Sequence, residues 1–385
     1  MFKLRIDRRK LLTIAGIALL AACKAAPVRP PAPPPPPPDL PSSSILPTDT
    51  ERHRVALLVP LRGPNAAAGQ AIANATTMAL LDTNASNLRI TTYDTAGGAG
   101  PAAARAIADG NRLILGPLMS DDIAAVAAAA RPARIPVVSY SNDEMRATRD
   151  VLIMGSLPSQ SVQRTVTYAR AQGLNRFAAL VPAGEYGQRA SASLMATVRS
   201  RGGSVVGIET YDRSAASVAS AAQRLRAKGG YDAVLIADGG RISAQAGRLL
   251  KPAGAPAPRI LGTELWSGES VTSSTPALNG AWYAAVADNR WRQFAESYRN
   301  RFGTQPYRIA TLGYDSVLLA LRVARDWRPG TVFPTGRLFD AGGFLGLDGA
   351  FRFRPNGAIE RALEVRQVRA GGVNVVSPAP AKFSD

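Results

Sequence analysis

A two-beat alternation constrains this chain most: a short apolar run, then an alanine-rich segment of helical character, repeated from residue 54 onward with few long insertions. Apolar runs with helices between them are what a parallel sheet covered on both faces requires, so the alternation predicts an α/β fold. "RVALLVPL" (54–61) reads as a buried first strand and "AAAGQAIANATTMALLD" (66–82) as the helix after it. "LRITTYDT" is a second strand, followed by a helix over 101–109 with Pro101 in its first turn. "RLILGPL" is the third. Its helix, "SDDIAAVAAAAR", is expected to be capped by Ser120, with Asp121 and Asp122 at its positive end. "IPVVSYS" is the fourth strand.

The same grammar then restarts. "FAALVPAGEYGQRASASLMATVRSRGG", "SVVGIETYD", "YDAVLIADGG" and "PRILGTELW" supply further strands with helices between them, which predicts two Rossmann-like lobes and a central cleft. Roughly 330 folded residues exceed a comfortable single α/β unit, which agrees with two lobes. "NRWRQFAESYRNRFGTQPYRIATLGYDSVLLALRVARDW" reads as two long helices broken at 303–306. "FLGLDGAFRFRPNGAIERALEVRQV" reads as a hairpin turned at Pro355, Asn356 and Gly357. The expected division of residues 51–385 is 54–156 with 290–335 for the first lobe, and 157–285 with 336–385 for the second.

Two segments of different character precede the folded part. Lys3, Arg5, Arg8, Arg9 and Lys10 lead into an apolar run over 11–20 and then small residues, which reads as a secretory signal peptide over 1–22, too short to span a bilayer. Cys23 is the one cysteine of the chain, so it has no internal disulfide partner and its use comes from its position. The pattern resembles a bacterial lipobox, which implies that Cys23 is the lipidated first residue of the mature protein. Lys24 in place of Asp implies, by the same resemblance, sorting to the outer membrane. Arg8 and Arg9 also resemble a twin-arginine export signal. The rest of 23–50 is mostly proline, a semi-rigid spacer that at ~3.1 Å per residue holds the folded part up to ~80 Å from the lipid.

The formal charge is +18, and the loss of five basic residues and Asp7 with the signal peptide leaves +14. Export removes nucleic acid from the possible partners. The polyanions outside the cytoplasm are peptidoglycan, lipid phosphates and acidic protein faces, and a broadly solvated arginine-rich surface accounts for the charge equally well.

"VALLVPLRGPNAAAGQAIANA", "YDTAG", "ILGPLMS", "IPVVSYSND", "EYGQR" and "GFLGLDGAFRFRPNG" resemble the type I periplasmic-binding fold of the leucine/isoleucine/valine receptors, from about residue 54 to 368. Within that fold, "VALLVPL", "AAAGQAI", "YDTAG", "LGPL" and "GEYGQR" look more like the C-terminal domain of the penicillin-binding-protein activator lipoproteins. That resemblance implies an outer-membrane lipoprotein that activates a bifunctional peptidoglycan synthase by direct, non-catalytic contact. The enterobacterial activators carry a helical-repeat domain before this fold, whereas here the spacer leads straight into it. The alternative is a periplasmic receptor that closes on an amino acid or similar small ligand and presents it to a permease.

In the receptors, helix ends and hydroxyls meet the ligand carboxylate and an acid meets its ammonium. The matching positions here are Ser120, Ser139, Ser141, Tyr186 and, for the ammonium, Glu264, which reads equally as a solvated loop acid. Asp121 and Asp122 would repel a ligand carboxylate, or else stabilise their helix. Arg241 either binds a carboxylate or pairs with Glu264. Trp291, Arg292, Tyr298 and Arg299 mark a helix that is either a docking face or an amphipathic helix with its aromatics inward; Trp282 and Tyr307 belong to the same aromatic cluster. One histidine, His53, and one cysteine leave no triad and no metal cluster, and the glycine pairs lack a phosphate-loop lysine, so neither an enzyme nor a cofactor is expected.

Overall fold

The computed structural model describes residues 51–251, 257–380 and 383. The signal peptide, Cys23 and the proline spacer lie outside the described residues. Among the described residues, no helix is long and apolar enough to cross a membrane.

The first sheet is built from β1 (His53–Val59), β2 (Leu88–Asp94), β3 (Leu113–Leu115), β4 (Val137–Ser139) and β5 (Val151–Ile153), all parallel, in the order β2-β1-β3-β4-β5. The apolar run predicted at 54–61 is β1, and Val55 to Val59 are completely buried between the helices that cover the sheet. Those helices are α1 (Ala66–Asp82), α2 (Ala99–Ala108) and α3 (Ile123–Ala130). Ser120 does not cap α3: its hydroxyl donates to Asp143 at 2.7 Å, and Asp122, at the cap position, makes no capping bond with its side chain.

The chain crosses over after β5 into α4 (Pro158–Ala171), where Pro158 opens the helix at a position whose N–H has no intrahelical partner. The second sheet then repeats the first in β6 (Arg176–Pro182), β7 (Ser204–Tyr211), β8 (Ala233–Ile236), β9 (Arg259–Leu261) and β10 (Trp282–Ala285), in the order β7-β6-β8-β9-β10. Its helices are α4, α5 (Glu185–Ser200), α6 (Ala215–Lys228), α7 (Gly240–Leu250) and the single turn α8 (Ser270–Ser273). In both sheets the strand order reverses at the first strand, and ligands bind outside the carboxyl ends of strands at such a switch point.

In each lobe the helix that follows the first strand crosses the end of that strand so closely that only glycine fits. A Cβ on Gly69 would lie 1.9 Å from the carbonyl oxygen of Pro60, and one on Gly187 would lie 1.8 Å from that of Pro182.

After β10 the chain returns to the first lobe through α9 (Asn289–Phe302) and α10 (Thr311–Ala324), the break falling where predicted, with Gly303 in the left-handed conformation that ends α9. The predicted hairpin is divided. β11 (Phe344–Gly346), β12 (Gly349–Phe353) and β13 (Ile359–Arg361) form a small antiparallel sheet, and β13 approaches β5 through a bridge between Ile153 and Ala358. Then β14 (Glu364–Arg369) and β15 (Gly372–Ser377) extend the second sheet beyond β10. The expected boundary at 336 is therefore displaced: Leu338, Phe344, Phe351, Phe353 and Ile359 pack into the first lobe's core, and the second lobe resumes only at β14. The turn at 354–358 was visible in the sequence, but the partners of its two arms were not.

Candidate functional site

Three crossings join the lobes, at 154–157, 286–288 and 362–363, and they floor a cavity of about 560 Å³ between the lobes. Ser156, Leu157, Val286 and Leu363 of the crossings line it, with Leu118, Tyr140 and Leu312 from the first lobe, so most of its wall is apolar. Its polar groups include Ser141 and Asn142 from the loop after β4, Gln160 and Ser161 from α4, Glu264 and Glu269 after β9, and Arg308, Asp348 and Arg361 from the return segment. The volume falls within the ~300–1,000 Å³ range of small-molecule sites.

Glu264 is positioned from behind. Tyr186, at the start of α5, places its hydroxyl oxygen 2.9 Å from both Thr263 Oγ1 and Glu264 Oε1. Having one proton, the phenol donates to the carboxylate and accepts from the threonine. Glu264 Oε2 is buried and has no hydrogen-bond partner among the described residues. Burial pushes the Glu264 carboxyl up to about 7, against the opposing pull of Tyr186, of its own backbone N–H and of the nearby Ser161 hydroxyl. A half-satisfied buried carboxylate costs ~1–3 kcal/mol relative to a satisfied one, so the site favours a ligand that supplies a donor.

The return segment adds a second group of charges. Asp348 accepts from Arg308 Nη1 at 2.6 Å and from Thr311 Oγ1 at 2.8 Å. Asp315, fully buried on α10, accepts the backbone N–H groups of Leu347 at 2.6 Å and Asp348 at 3.3 Å; burial first, and then the Asp348 charge, push its carboxyl up. Among the described residues, five of the eight buried polar side-chain atoms without a hydrogen-bond partner belong to Glu264, Arg308 and Arg361. All three residues line this one cavity.

Arg189 and Ser159 of the second lobe also reach across the cleft to the first. Arg189 on α5 lies 3.3 Å from Asp143 Oδ2 and donates to Asn142 Oδ1 at 3.3 Å, and Ser159 on α4 donates to Glu144 at 3.0 Å.

The predicted site residues separate into groups. Ser141 and Glu264 line the cavity, and Tyr186 supports Glu264 without lining it. Ser120 is engaged by Asp143, and Ser139 is buried in the sheet, donating to the carbonyl of Pro117 at 2.8 Å. Arg241 is exposed at the start of α7 and neither lines the cavity nor pairs with Glu264. Asp121 and Asp122 do not line it either; burial and then Asp121 push the Asp122 carboxyl up.

The expected docking helix is amphipathic. Tyr298 is 2 % exposed, packs against Phe294 and Phe302 and accepts from Asn74, while Trp291 is half-buried under the Arg308 guanidinium at 4.6 Å; only Arg292 and Arg299 face outward. Trp282 is buried in β10, whereas Tyr307 stays exposed at the cavity rim. His53 stacks on Trp327 at 4.2 Å, and burial lowers its pKa, which gives it a packing role.

Sequence reasoning missed Arg308 and Arg361. Their signal was an arginine inside an apolar context, "PYRIATL" and "AIERALE", which alternation alone assigns to a solvated face.

The model of the family described as periplasmic binding protein matches residues 53–373. The chain belongs to that family. Among solved structures of this fold, a branched chain amino acid ABC transporter periplasmic ligand-binding protein from Burkholderia xenovorans LB400 superposes with a TM-score of 0.69 at 17% identity, covering 85% of this chain and 95% of that one. The branched-chain amino acid transporter substrate binding protein LivJ from Streptococcus pneumoniae, in complex with isoleucine, gives 0.63 at 16% identity, with 85% and 100% covered. An uncharacterized protein of Rickettsia prowazekii (strain Madrid E) is 25% identical over 173 residues, 44% of this chain and 46% of that protein, so the match spans about half the length of this curated relative. Family membership carries a periplasmic location with it.

Proposed function

We propose that this periplasmic binding protein is a receptor that closes its lobes on a small amino-acid-like solute, with Glu264 as the partner of the ligand's ammonium. The observation that carries this reading is Glu264, which lines the interlobe cavity with Oε1 held by Tyr186 and a buried Oε2 that has no hydrogen-bond partner among the described residues. An ammonium supplies the missing donor and a compensating charge, and Ser141 and Asn142 across the cleft offer polar groups to the carboxylate. Presentation of the loaded protein to a permease follows from the same reading.

Calorimetric titration of the purified protein with the common amino acids tests it. Binding is expected, with affinity lowered tenfold or more in Glu264→Gln and proton release near pH 6 as the carboxyl ionises. Binding unaffected by Glu264→Gln would remove the ammonium role.

The rival reading, activation of a peptidoglycan synthase from an outer-membrane lipid anchor, draws its support from the lipobox at Cys23 and the long spacer. Its docking helix retains Arg292 and Arg299 at the surface but not Trp291 and Tyr298. Capture of a purified bifunctional penicillin-binding protein, together with no solute binding, would install it.

A further inference from the structure

Resting on the receptor reading above, we propose that Arg308 and Arg361 form an anion subsite and that the solute is an α-amino acid carrying a second carboxylate. Both arginines reach the cavity from the first lobe, Arg308 just ahead of α10 and Arg361 at the end of β13, whereas Glu264 comes from the second. A ligand with its ammonium on Glu264 and its acidic group on the arginines therefore joins the lobes.

Arg361 is 6 % exposed and uses one nitrogen, Nη2, to donate to the carbonyl of Met154 at 2.8 Å; Nε and Nη1 have no hydrogen-bond acceptor. Arg308 gives Nη1 to Asp348, while its Nε and Nη2 likewise lack one; Nη2 is 3.8 Å from Asp288, a carboxylate also held by the buried Arg366. Four buried N–H-bearing nitrogens on two guanidinium groups thus await acceptors, and planar forks of this kind match carboxylates in paired hydrogen bonds.

The neighbouring acids do not fill this need. Asp348 is engaged by Arg308 Nη1 and Thr311, and Asp315 by two backbone amides. Burial pulls the Arg361 guanidinium down from its ordinary value and the Arg308 charge acts in the same direction, while Asp348 and Asp315 oppose it. Burial pushes Asp315 toward its neutral form, and Asp288, 3.8 Å from Arg308 Nη2, is shared with Arg366, so the two guanidinium groups keep donors that the nearby acids do not fill. An anion bound between them relieves their repulsion and satisfies the free donors.

The test is calorimetry on the purified protein with L-glutamate and L-aspartate beside L-glutamine, L-asparagine, L-leucine and benzoate. An acid bound at least about tenfold tighter than its own amide is expected. In Arg308→Gln and in Arg361→Gln that preference should collapse to within about twofold while amide binding persists. Arg308 is the less buried of the two, so its variant remains informative if Arg361→Gln does not fold. Leucine or glutamine bound as tightly as glutamate, with both variants unchanged, overturns the anion subsite and leaves the receptor reading standing. No binding of any amino acid overturns both. Benzoate binding that depends on the arginines but not on Glu264 upholds the anion subsite as a carboxylate site and overturns the amino-acid assignment.

Discussion

The two lobes open with the same device and differ where they face each other. In each, the first strand closes on a valine and proline, Val59 and Pro60 or Val181 and Pro182, and the next helix returns over that proline at Gly69 or Gly187. The fourth strands, β4 and β9, are equivalent in strand order, yet the loop after β4 presents Ser141 and Asn142 to the cavity and the loop after β9 presents Glu264. On the first-lobe side the serine oxygens are engaged by the lobe's own loop: Ser139 accepts from Ser141 N, and Ser141 from Asp143 N. On the second-lobe side a carboxylate oxygen is left over. The repeated scaffold thus fixes the backbone, and the chemistry lies in residues that break the repeat.

The largest expected effect tests the shared device. Gly69→Ala and Gly187→Ala each force a methyl against a backbone carbonyl that cannot turn away, so each should cost roughly 3–5 kcal/mol, in the range reserved for severe steric insults. Denaturant unfolding measures both. Comparable losses sustain the equivalence of the lobes, and a loss near ~1 kcal/mol at one glycine would break it.

Next in size is the contrast between the two equivalent loops. Glu264 is buried with its pKa raised from 4.5 to about 7, so the stability it lends is complete below pH 4.5, where both states are protonated, and is lost as pH rises through 7. By this account the ligand-free protein is destabilised at pH 8 by roughly 2–3 kcal/mol at this residue, and Glu264→Gln is the more stable form there. Melting temperatures across pH 4 to 8 should show a shallower decline for the variant, with Asp315, raised in the same direction, sustaining the remainder. Ser141→Ala should cost ~1 kcal/mol at every pH, for the one amide bond it loses. A pH dependence as steep in Glu264→Gln as in the wild type would remove the buried carboxylate from the account.

A smaller effect concerns the tie between the lobes. Arg189 is mostly buried and meets Asp143 across the cleft, so Arg189→Ala should cost ~1 kcal/mol or less in global stability while increasing the radius of gyration of the ligand-free protein in small-angle scattering. An unchanged scattering curve would mean that the three crossings, and not this pair, set the separation of the lobes.

The α/β class, the two lobes and most strands were legible because burial on both faces leaves unbroken apolar runs, "VALLV" and "FAALV" being the clearest. Glu264 was legible only through resemblance, and Tyr186 came with it. Arg308 and Arg361 were not, since a charged residue reads as solvated unless its buried surroundings are known, and those are assembled from segments as distant as Met154 and Arg361. Residues 336–361 went to the wrong lobe for a related reason: the apolar pattern of a strand names its faces but not the sheet it joins.

The finest test of the contrast is Tyr186→Phe, which removes one hydroxyl and leaves the ring. The phenol is part of the second lobe's loop geometry alone; the first lobe has Ala68 at the matching position, just before Gly69. Its bond to Oε1 favours the charged carboxylate, so without it the Glu264 pKa should rise further and the pH at which ligand-free stability is lost should move upward with it. The cost at pH 8 should exceed that at pH 4 by about 1 kcal/mol, the net worth of one such bond, since at pH 4 the carboxyl is protonated in either protein and only neutral bonds, that with Thr263 among them, are lost. Carbon-13 titration of the labelled Glu264 carboxyl reads the midpoint directly. A midpoint that stays in place, or falls, would show that Tyr186 fills space beside Glu264 without holding its charge, and the asymmetry between the two cleft walls would then rest on burial alone.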